Sequence, residues 1–349
     1  MRIGLAAAAA LMAFALAGVA HGAGTKTVKD WTAVCDNLGD CQAFGFSPED
    51  AENEGYLIVK RRGGGDTPVS LTLVFDPGDT QPAGSWRVTV DGKPVTGVGP
   101  LNAGGSQNGS RVQLPGAASG LLLDALKNGK SLEVASADGK AQFTVSLAGS
   151  SAVLLWLDDQ QGRIGTVTAL IRAGGKPASA VPPRRAAPAI AVAAAVSQAG
   201  LPKHAPKSMI KVDPDDCDPQ FVGADPDDIV ARLAPGVVLW APECNMAAYN
   251  ESTIMFLGDE HAGHLLRLKV PEAPGAGQAT DDFLINAEFD AKTQTLSQFS
   301  KGRGIGDCGE TARWVWNGKA FVVLGEEIMP ECRGVILDDW PPLFVGKRG

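Results

Sequence analysis

The segment from Lys301 to Asp307, in which glycine alternates with other residues, has the composition best suited to binding chemistry. Its glycines leave backbone amides approachable, so the loop can cradle an anion while Lys301 and Arg303 add positive charge. It lacks the Lys-Ser/Thr ending of a nucleotide loop, and no helix is predicted after it. Two interpretations remain open: a recognition loop, or a tight bulged connection in which Arg303 pairs with Asp307 or Glu310.

The other candidates for site chemistry are His261 and His264, in the run Asp259-Glu-His-Ala-Gly-His264. Two imidazoles and two carboxylates suit zinc or copper. Gly263 separates the histidines, however, and no remote third ligand is evident. The pattern therefore favours a solvated turn between strands. We predict no metal and no cofactor, with His261 and His264 as the alternative metal ligands.

Hydrolytic chemistry has less support in the sequence. The Gly-x-Ser-x-Gly motif of serine hydrolases is absent. Adjacent carboxylates on a strand point to opposite faces, so most such pairs are expected to be surface charge. A glycosidase pair stays open as an alternative. The adjacent pairs are Asp281 with Asp282, Glu326 with Glu327 and Asp338 with Asp339.

The clearest predicted element near these residues is a β-hairpin at Asn317 and Gly318, which separate two β-prone runs. Both residues tolerate the positive φ that a two-residue turn requires. Such a turn would place Trp314 opposite Phe321 and put three large rings, including Trp316, on one side of the ribbon. The candidate binding residues are therefore Lys301, Arg303, Asp307, Glu310, Trp314 and Trp316.

Six cysteines in an exported chain indicate three disulfides. Their spacing favours local pairs, and the last pair would staple the open end of the hairpin. Proximity alone selects among the connectivities that the four later cysteines allow. The absence of Cys-x-x-Cys disfavours zinc and thioredoxin chemistry. The predicted pairs are Cys35 with Cys41, Cys217 with Cys244 and Cys308 with Cys332.

Residues 1–23 have the features of a signal peptide: Arg2, an apolar run from Leu5 to Leu16, and a small-x-small site at 18–20. The alternative, a membrane anchor, is disfavoured because the run is short for a span and no basic cluster follows it. No later segment is long and apolar enough to cross a bilayer. We therefore predict a periplasmic protein without a stable membrane span after leader removal.

The rest of the chain predicts a mainly β protein with two antiparallel domains. Short β-prone runs separated by Gly, Pro, Asn and Asp are typical of all-β folds, and 349 residues suit two domains. The predicted divisions are an N-terminal domain at 25–175, a Pro/Ala-rich linker at 176–208 and a C-terminal domain at 209–349. The net charge of −8 argues against nucleic acid as a partner.

Other elements interrupt this pattern. Leu121–Asn128 and Ser150–Gln161 have apolar stripes that stop at glycine, which predicts two helices. Asp225, followed by proline, has the signature of an N-cap for a third helix that ends at Gly236. Thr166–Ile171 is predicted to be the last strand of the first domain.

The mature chain carries four characteristic segments in order: Lys29–Ala43, Ser146–Leu170, Pro242–Asn250 and Lys301–Gly334. Together they resemble a family of exported bacterial proteins, the domain of unknown function 1176. The first half also resembles, more loosely, the invasion-associated locus B proteins, which are periplasmic or surface β-rich proteins. Neither family has an established catalytic residue, so the resemblance implies an exported β-rich protein and no particular reaction.

Two functions of different classes fit the sequence. The first is a periplasmic binding protein that acts on an envelope protein or polymer, with an inhibitor of a cell-wall hydrolase as one variant. Its support is a rigid β scaffold with many glycine loops and no catalytic constellation. The alternative is a periplasmic hydrolase that uses carboxylates or the His261/His264 pair. A deep pocket that gathers distant carboxylates or histidines would favour the hydrolase.

Overall fold

The computed structural model describes residues 22–75, 85–102, 104–106, 109–139, 141–206, 217–218, 220–221, 228–274 and 280–349. Most of the predicted leader and the predicted N-cap at Asp225 lie outside these residues. The described chain is β-rich and built mainly from antiparallel sheets, which confirms the predicted fold class.

The first half of the chain combines short strands with two helices. In chain order, its strands are β1 (Gly24–Val28), β2 (Trp31–Cys35), β3 (Cys41–Phe46), β4 (Gly55–Arg61), β5 (Val69–Phe75), β6 (Ser85–Val90), β7 (Lys93–Pro94), β8 (Leu101–Asn102), β9 (Gly104–Ser106), β10 (Gly109–Gln113), β11 (Ser131–Ser136) and β12 (Gln142–Ser146). Its helices are α1 (Gly116–Leu126) and α2 (Ser150–Gln160).

The remaining strands belong to the linker and the second half. They are β13 (Ala189–Ile190), β14 (Ile229–Ala234), β15 (Val237–Ala241), β16 (Glu243–Met246), β17 (Glu251–Ile254), β18 (Phe256–Gly258), β19 (Leu266–Arg267), β20 (Val270–Pro271), β21 (Thr280–Asp281), β22 (Phe283–Ile285), β23 (Glu288–Asp290), β24 (Thr295–Lys301), β25 (Gly309–Trp316), β26 (Phe321–Met329), β27 (Pro342–Val345) and β28 (Lys347–Arg348). Two 3-10 turns lie at Ala178–Ala180 and Leu337–Asp339.

Two sheets and two helices enclose the core of the first half. One sheet has the strand order β1-β2-β3-β4-β5-β10-β9, and the other runs β12-β11-β6-β7 with β8 beside β6. Leu57 and Leu73 of the first sheet share this core with Trp86 of the second. Helix α2 adds Leu154 and Leu157, because its apolar stripe faces inward.

The first sheet is covered on both faces. In β4, Leu57 and Val59 face the core of the first half, since successive side chains on a strand alternate between faces. Tyr56 and Ile58 face the other way and pack against residues of the second half, among them Trp340. This double burial explains why β2 is buried at every position and β4 at every position except Lys60, without the alternation of a strand that has one solvated face.

The second half is divided into smaller sheets. The largest has the order β23-β24-β25-β26-β27, and the others are β14-β15-β18-β19, β16-β17-β22 and β20-β21. Its buried apolar residues form two clusters, one around Trp314 and one around Trp240. The structure contains the disulfides Cys35–Cys41, Cys217–Cys244 and Cys308–Cys332, which are the pairs that sequence proximity favours.

The described part of the predicted linker contacts both halves. Arg184 forms an ion pair with Asp40 of the first half, with Nε 2.8 Å from Oδ1. On the other side, β13 pairs in parallel with β28, and the backbone amide of Ala193 donates to Trp316 O at 2.8 Å. The division into two domains stays a prediction, and these contacts show that the segment between them is held in place.

Three sequence-based expectations are wrong. The hairpin after β25 has a four-residue loop, 317–320, so Trp316 rather than Trp314 pairs with Phe321. The segment predicted as the end of a helix is β14, where alternate residues are buried and the chain turns back into β15. Thr166–Ile171 is a set of turns, in which Thr166 makes only an isolated bridge to Lys176.

Candidate functional site: the stapled loop and its neighbours

The stapled loop, residues 302–308, connects β24 to β25, and Cys332 ties its end to the chain beyond β26. Two glycines are required by its geometry. Gly309, just after the loop, has φ +128°, and a Cβ there would collide with Ser300 O. A Cβ on Gly302 would come within 2.7 Å of Cys308 Sγ. The loop is therefore shaped by backbone approach and by the disulfide.

Two backbone amides of the loop donate inside it. The amide of Gly302 donates to Cys308 O at 2.8 Å, and that of Gly306 donates to Arg303 O at 2.9 Å. An anion cradle requires several amides that point together at one ligand. These internal hydrogen bonds count against such a cradle and leave the side chains of the loop as its binding groups.

Arg303 pairs with Asp307, as one of the two sequence interpretations expects. Its Nε donates to Oδ1 at 2.6 Å and its Nη2 to Oδ2 at 2.5 Å, while Gly334 N also donates to Oδ2 at 2.7 Å. Burial by itself raises the pKa of Asp307, but these hydrogen bonds and the Arg303 charge bring it below its ordinary value. The arginine side chain stays 44% exposed, so one face of the guanidinium is open to a partner.

The other predicted binding residues lie in different environments. Lys301 Nζ lies 5.5 Å from the centre of the Phe299 ring. Glu310 accepts a hydrogen bond from Gln298 Nε2 at 2.9 Å. Trp314 and Trp316 are buried in the core of the second half, and Trp314 Nε1 donates to Pro271 O at 2.5 Å. The two tryptophans therefore belong to the core at the end of β25 that is far from the loop, and they are not exposed to a partner.

A neighbouring turn brings exposed apolar side chains beside the loop. Tyr249 is 42% exposed and its hydroxyl donates to Gly302 O at 3.4 Å. Met246 is 50% exposed and Ile305, in the loop itself, is 76% exposed. We call Met246, Tyr249 and Ile305 the apolar patch. Asn250 fixes the turn against the loop, because its Nδ2 donates to Lys301 O at 2.9 Å.

On the side of Arg303, the loop borders a cleft of about 240 Å³ between the two halves. Arg333 crosses this cleft, with its guanidinium 5.4 Å from the Phe46 ring centre and Nη1 3.4 Å from Glu49 Oε1. It also donates to Ser47 O. The stapled loop therefore borders the first half through Arg303 and contacts the Tyr249 turn through Gly302.

His261 and His264 lie in a loop that is held by hydrogen bonds between its own residues. Asp259 Oδ1 accepts hydrogen bonds from the backbone amides of His261 at 2.9 Å and Gly263 at 2.8 Å. Both imidazoles are exposed. Among the described residues, no group of three or more His, Cys, Asp or Glu side chains is arranged to hold a metal ion.

Two of the predicted carboxylate pairs lie in different settings: Glu326 and Glu327 are on β26, and Asp338 and Asp339 are in a 3-10 turn. Glu326 is buried, whereas Glu327 on the opposite face accepts from Thr311 Oγ1 at 3.0 Å. Asp339 is buried at the junction of the halves, where Arg111 Nη2 donates to its Oδ1 at 2.6 Å. Glu326, Glu327 and Asp339 each accept a hydrogen bond within the fold, and none of the three lines the cleft beside Arg303. No described helix has the length and apolarity needed to span a bilayer.

Comparison with known proteins identifies the family. The sequence profile described as "Protein of unknown function (DUF1176)" matches residues 25–347, nearly the whole chain after the predicted leader. The chain belongs to the DUF1176 family. It is 27% identical over 337 residues to "Uncharacterized protein YpfG" of Escherichia coli (strain K12), which covers 92% of this chain and 93% of that protein. No solved structure matches it.

Sequence reasoning missed the apolar patch of this DUF1176 protein. Tyr249 lies in one of the segments that carry the family resemblance, and Ile305 is an apolar residue inside a glycine-rich polar loop. An apolar residue in such a loop is a usable signal for an exposed contact. The proximity of Tyr249 to the loop was not predictable, because the two lie more than 50 residues apart and meet through the tertiary contacts of Tyr249 and Asn250.

Proposed function

We propose that the protein is an exported, periplasmic binding protein whose stapled loop and apolar patch recognise a protein of the cell envelope. The observation that carries the proposal is the exposure of Ile305 on a loop fixed by a disulfide, beside the exposed Tyr249, whose hydroxyl donates to Gly302 O of that loop. Folded proteins rarely leave adjacent large apolar residues in water unless a partner covers them. A rigid loop also loses little conformational freedom on binding.

The composition of this surface favours a protein over a polymer. Tyrosine, methionine and arginine are enriched in protein interfaces, and all three occur at or beside the patch. Recognition of an acidic polymer would instead rely on a row of cations, whereas Arg303 is paired with Asp307. The three disulfides are compatible with an oxidising compartment outside the cytoplasm. The likeness of the first half to the invasion-associated locus B proteins stays a prediction.

The test places a photo-crosslinking amino acid at Ile305 and, as the control, at Leu266, which is 71% exposed elsewhere in the second half. Illumination of cells that export each protein should give a discrete cross-linked partner from position 305 only. With that partner purified, Ile305→Asp and Tyr249→Ala should weaken binding at least about tenfold, and Leu266→Asp should leave it within about twofold.

The same variants separate the other possibilities. Equal cross-linking from both positions would contradict the proposal. Co-sedimentation of the protein with purified peptidoglycan would also contradict it if Arg303→Ala abolished that co-sedimentation and Ile305→Asp did not. Such a result would show that the surface binds a polymer. Arg313→Ala is the matched control for Arg303→Ala, because Arg313 is similarly exposed at 48% and pairs with Glu327 at 3.2 Å.

A further inference from the structure

A cavity lies in the first half, away from the stapled loop. Its volume is about 510 Å³, within the range of roughly 300–1,000 Å³ of pockets that enclose small molecules. Its walls are the turn at Leu38 and Gly39, the turn at Gly63 and Gly64, the chain after α2, and the proline-containing strap up to Arg185.

The walls are held by hydrogen bonds between distant segments. Gln161 Nε2 donates both to Gly39 O and to Arg61 O at 2.9 Å. The amide of Arg185 donates to Leu38 O at 3.0 Å, which fastens the strap across the cavity. The disulfide Cys35–Cys41 closes the ring that contains Gly39. The cavity is therefore formed before any ligand arrives, which limits the entropy lost on binding.

The lining is cationic although the protein as a whole has a net charge of −8. Lys176 and Arg185 line the cavity, and none of the described residues that line it is acidic. Its polar side chains are completed by Gln160, Gln161 and Thr166. A set of cations with neutral hydrogen-bonding groups and no carboxylate favours an anion.

A buried cation behind the wall adds to this field. Arg163 is fully buried, and its guanidinium donates only to neutral acceptors: three backbone carbonyls and three side-chain oxygens. Within the described chain no carboxylate oxygen lies close enough to form an ion pair with it. Burial, together with the charge of Arg61, lowers the pKa of Arg163 to about 10 against the smaller, opposing effects of the Asp158 and Asp66 charges, so it remains cationic at pH 7. An anion in the adjacent cavity would offset part of this buried charge.

The remaining lining is apolar. Leu38, Ile164, Ala180 and Pro182 face the space between the polar groups. We propose that this cavity is a binding site for a small organic anion, a carboxylate or a phosphate, attached to an apolar body. This site is independent of the surface formed by the stapled loop.

The experiment uses the whole mature protein and calorimetric titration with 1-naphthoate and its neutral isostere 1-naphthamide. We expect 1-naphthoate to bind at one equivalent and at least about tenfold more tightly than 1-naphthamide. The double change Lys176→Gln with Arg185→Gln should remove this preference. A parallel titration with 1-naphthyl phosphate distinguishes a phosphate site from a carboxylate site, and a preference for either anion supports the proposal.

Two further variants keep the test decisive. Ala180→Phe fills the cavity from the exposed strap without changing any charge, and it should weaken binding of both naphthyl compounds. Lys93→Gln with Lys319→Gln removes the same charge at exposed positions that do not line the cavity, and it should leave binding unchanged. Lys176→Gln alone replaces the double variant if the latter does not fold.

Equal affinity for 1-naphthoate and 1-naphthamide would overturn the proposal, as would saturation by neither compound at about 1 mM. Loss of binding in the Lys93 and Lys319 variant to the same extent as in the Lys176 and Arg185 variant would also overturn it. In that case the net charge of the protein, and not the cavity, would govern binding.

Discussion

The two halves of the protein achieve stability by different means. The first half gathers its buried apolar residues into one cluster that two sheets and two helices share. The described part of the second half has several short sheets and two smaller clusters, and it contains two of the three disulfides. Small cores bury less apolar surface per residue, so covalent links have more to contribute there. The proposed recognition loop therefore lies where rigidity depends on a disulfide.

The largest expected effect in this comparison is the loss of a disulfide of the second half, tested at Cys308–Cys332. Its sequence separation is 24 residues, against 6 for Cys35–Cys41. On the chain-entropy account, replacing both cysteines by serine should cost about 3–4 kcal/mol at 308 and 332 and about 2 kcal/mol at 35 and 41. Urea unfolding followed by tryptophan fluorescence measures both. Equal losses would show that the first half depends on its disulfide as much as the second.

The next effect concerns a buried carboxyl in the core of the second half. Glu326 Oε2 accepts from Ala273 N at 3.0 Å, while Oε1 has no hydrogen-bond partner among the described residues. Burial, then the charges of Glu310 and Glu272, raise the pKa of Glu326 to about 7. Because the folded state holds this proton more tightly than the unfolded state does, the stability linked to it is full below about pH 4.5 and is lost as the pH rises to 7.

Glu326→Gln stays neutral at every pH and should remove this dependence. We expect little change in the free energy of unfolding at pH 5 and a gain of at most roughly 3 kcal/mol at pH 8. Glu327→Gln, one residue further on the opposite face, is the control. Urea unfolding at both pH values is the measurement, and identical pH profiles for Glu326→Gln and the unaltered protein would refute the assignment.

The smallest effect tests the junction between the halves. Asp339 of the second half accepts from Tyr56 Oη at 2.7 Å and from both terminal nitrogens of Arg111 in the first half. Asp339→Asn keeps the shape but removes the charge that faces Arg111, whose side chain is 31% exposed and therefore partly screened. We expect a loss of about 1–2 kcal/mol in unfolding free energy.

The control for the junction is Asp338→Asn, since Asp338 is the exposed neighbour in the same 3-10 turn. A change within about 0.5 kcal/mol is expected there. If Asp339→Asn is equally neutral, the halves are held together by the shared apolar cluster around Phe44 and Trp340, and the buried ion pair is incidental.

Local sequence patterns were enough to predict those features that depend on residues close together in the chain. Helix α2 follows from an apolar stripe that ends at glycine, and the hairpin β25–β26 follows from two β-prone runs around Asn317. The disulfide pairs follow from short spacing. Even at the hairpin the register was decided by a detail that the pattern does not show: Asn317 Oδ1 accepts from the amides of Lys319 and Ala320 and thereby closes a longer loop.

Features that depend on contacts between residues far apart in the chain could be seen only in the tertiary structure. The sequence around Asp225 predicts that Ile229–Ala234 continues a helix, and this prediction is wrong. The segment is a strand, because pairing with β15 buries one of its faces. The second buried face of the first sheet exists only because residues nearly 300 positions away cover it, as the hydrogen bond from Tyr56 to Asp339 shows. The apolar patch and the cationic cavity arise in the same way. Residue types and short spacings are fixed by the sequence, but which distant side chains share a surface is set by packing.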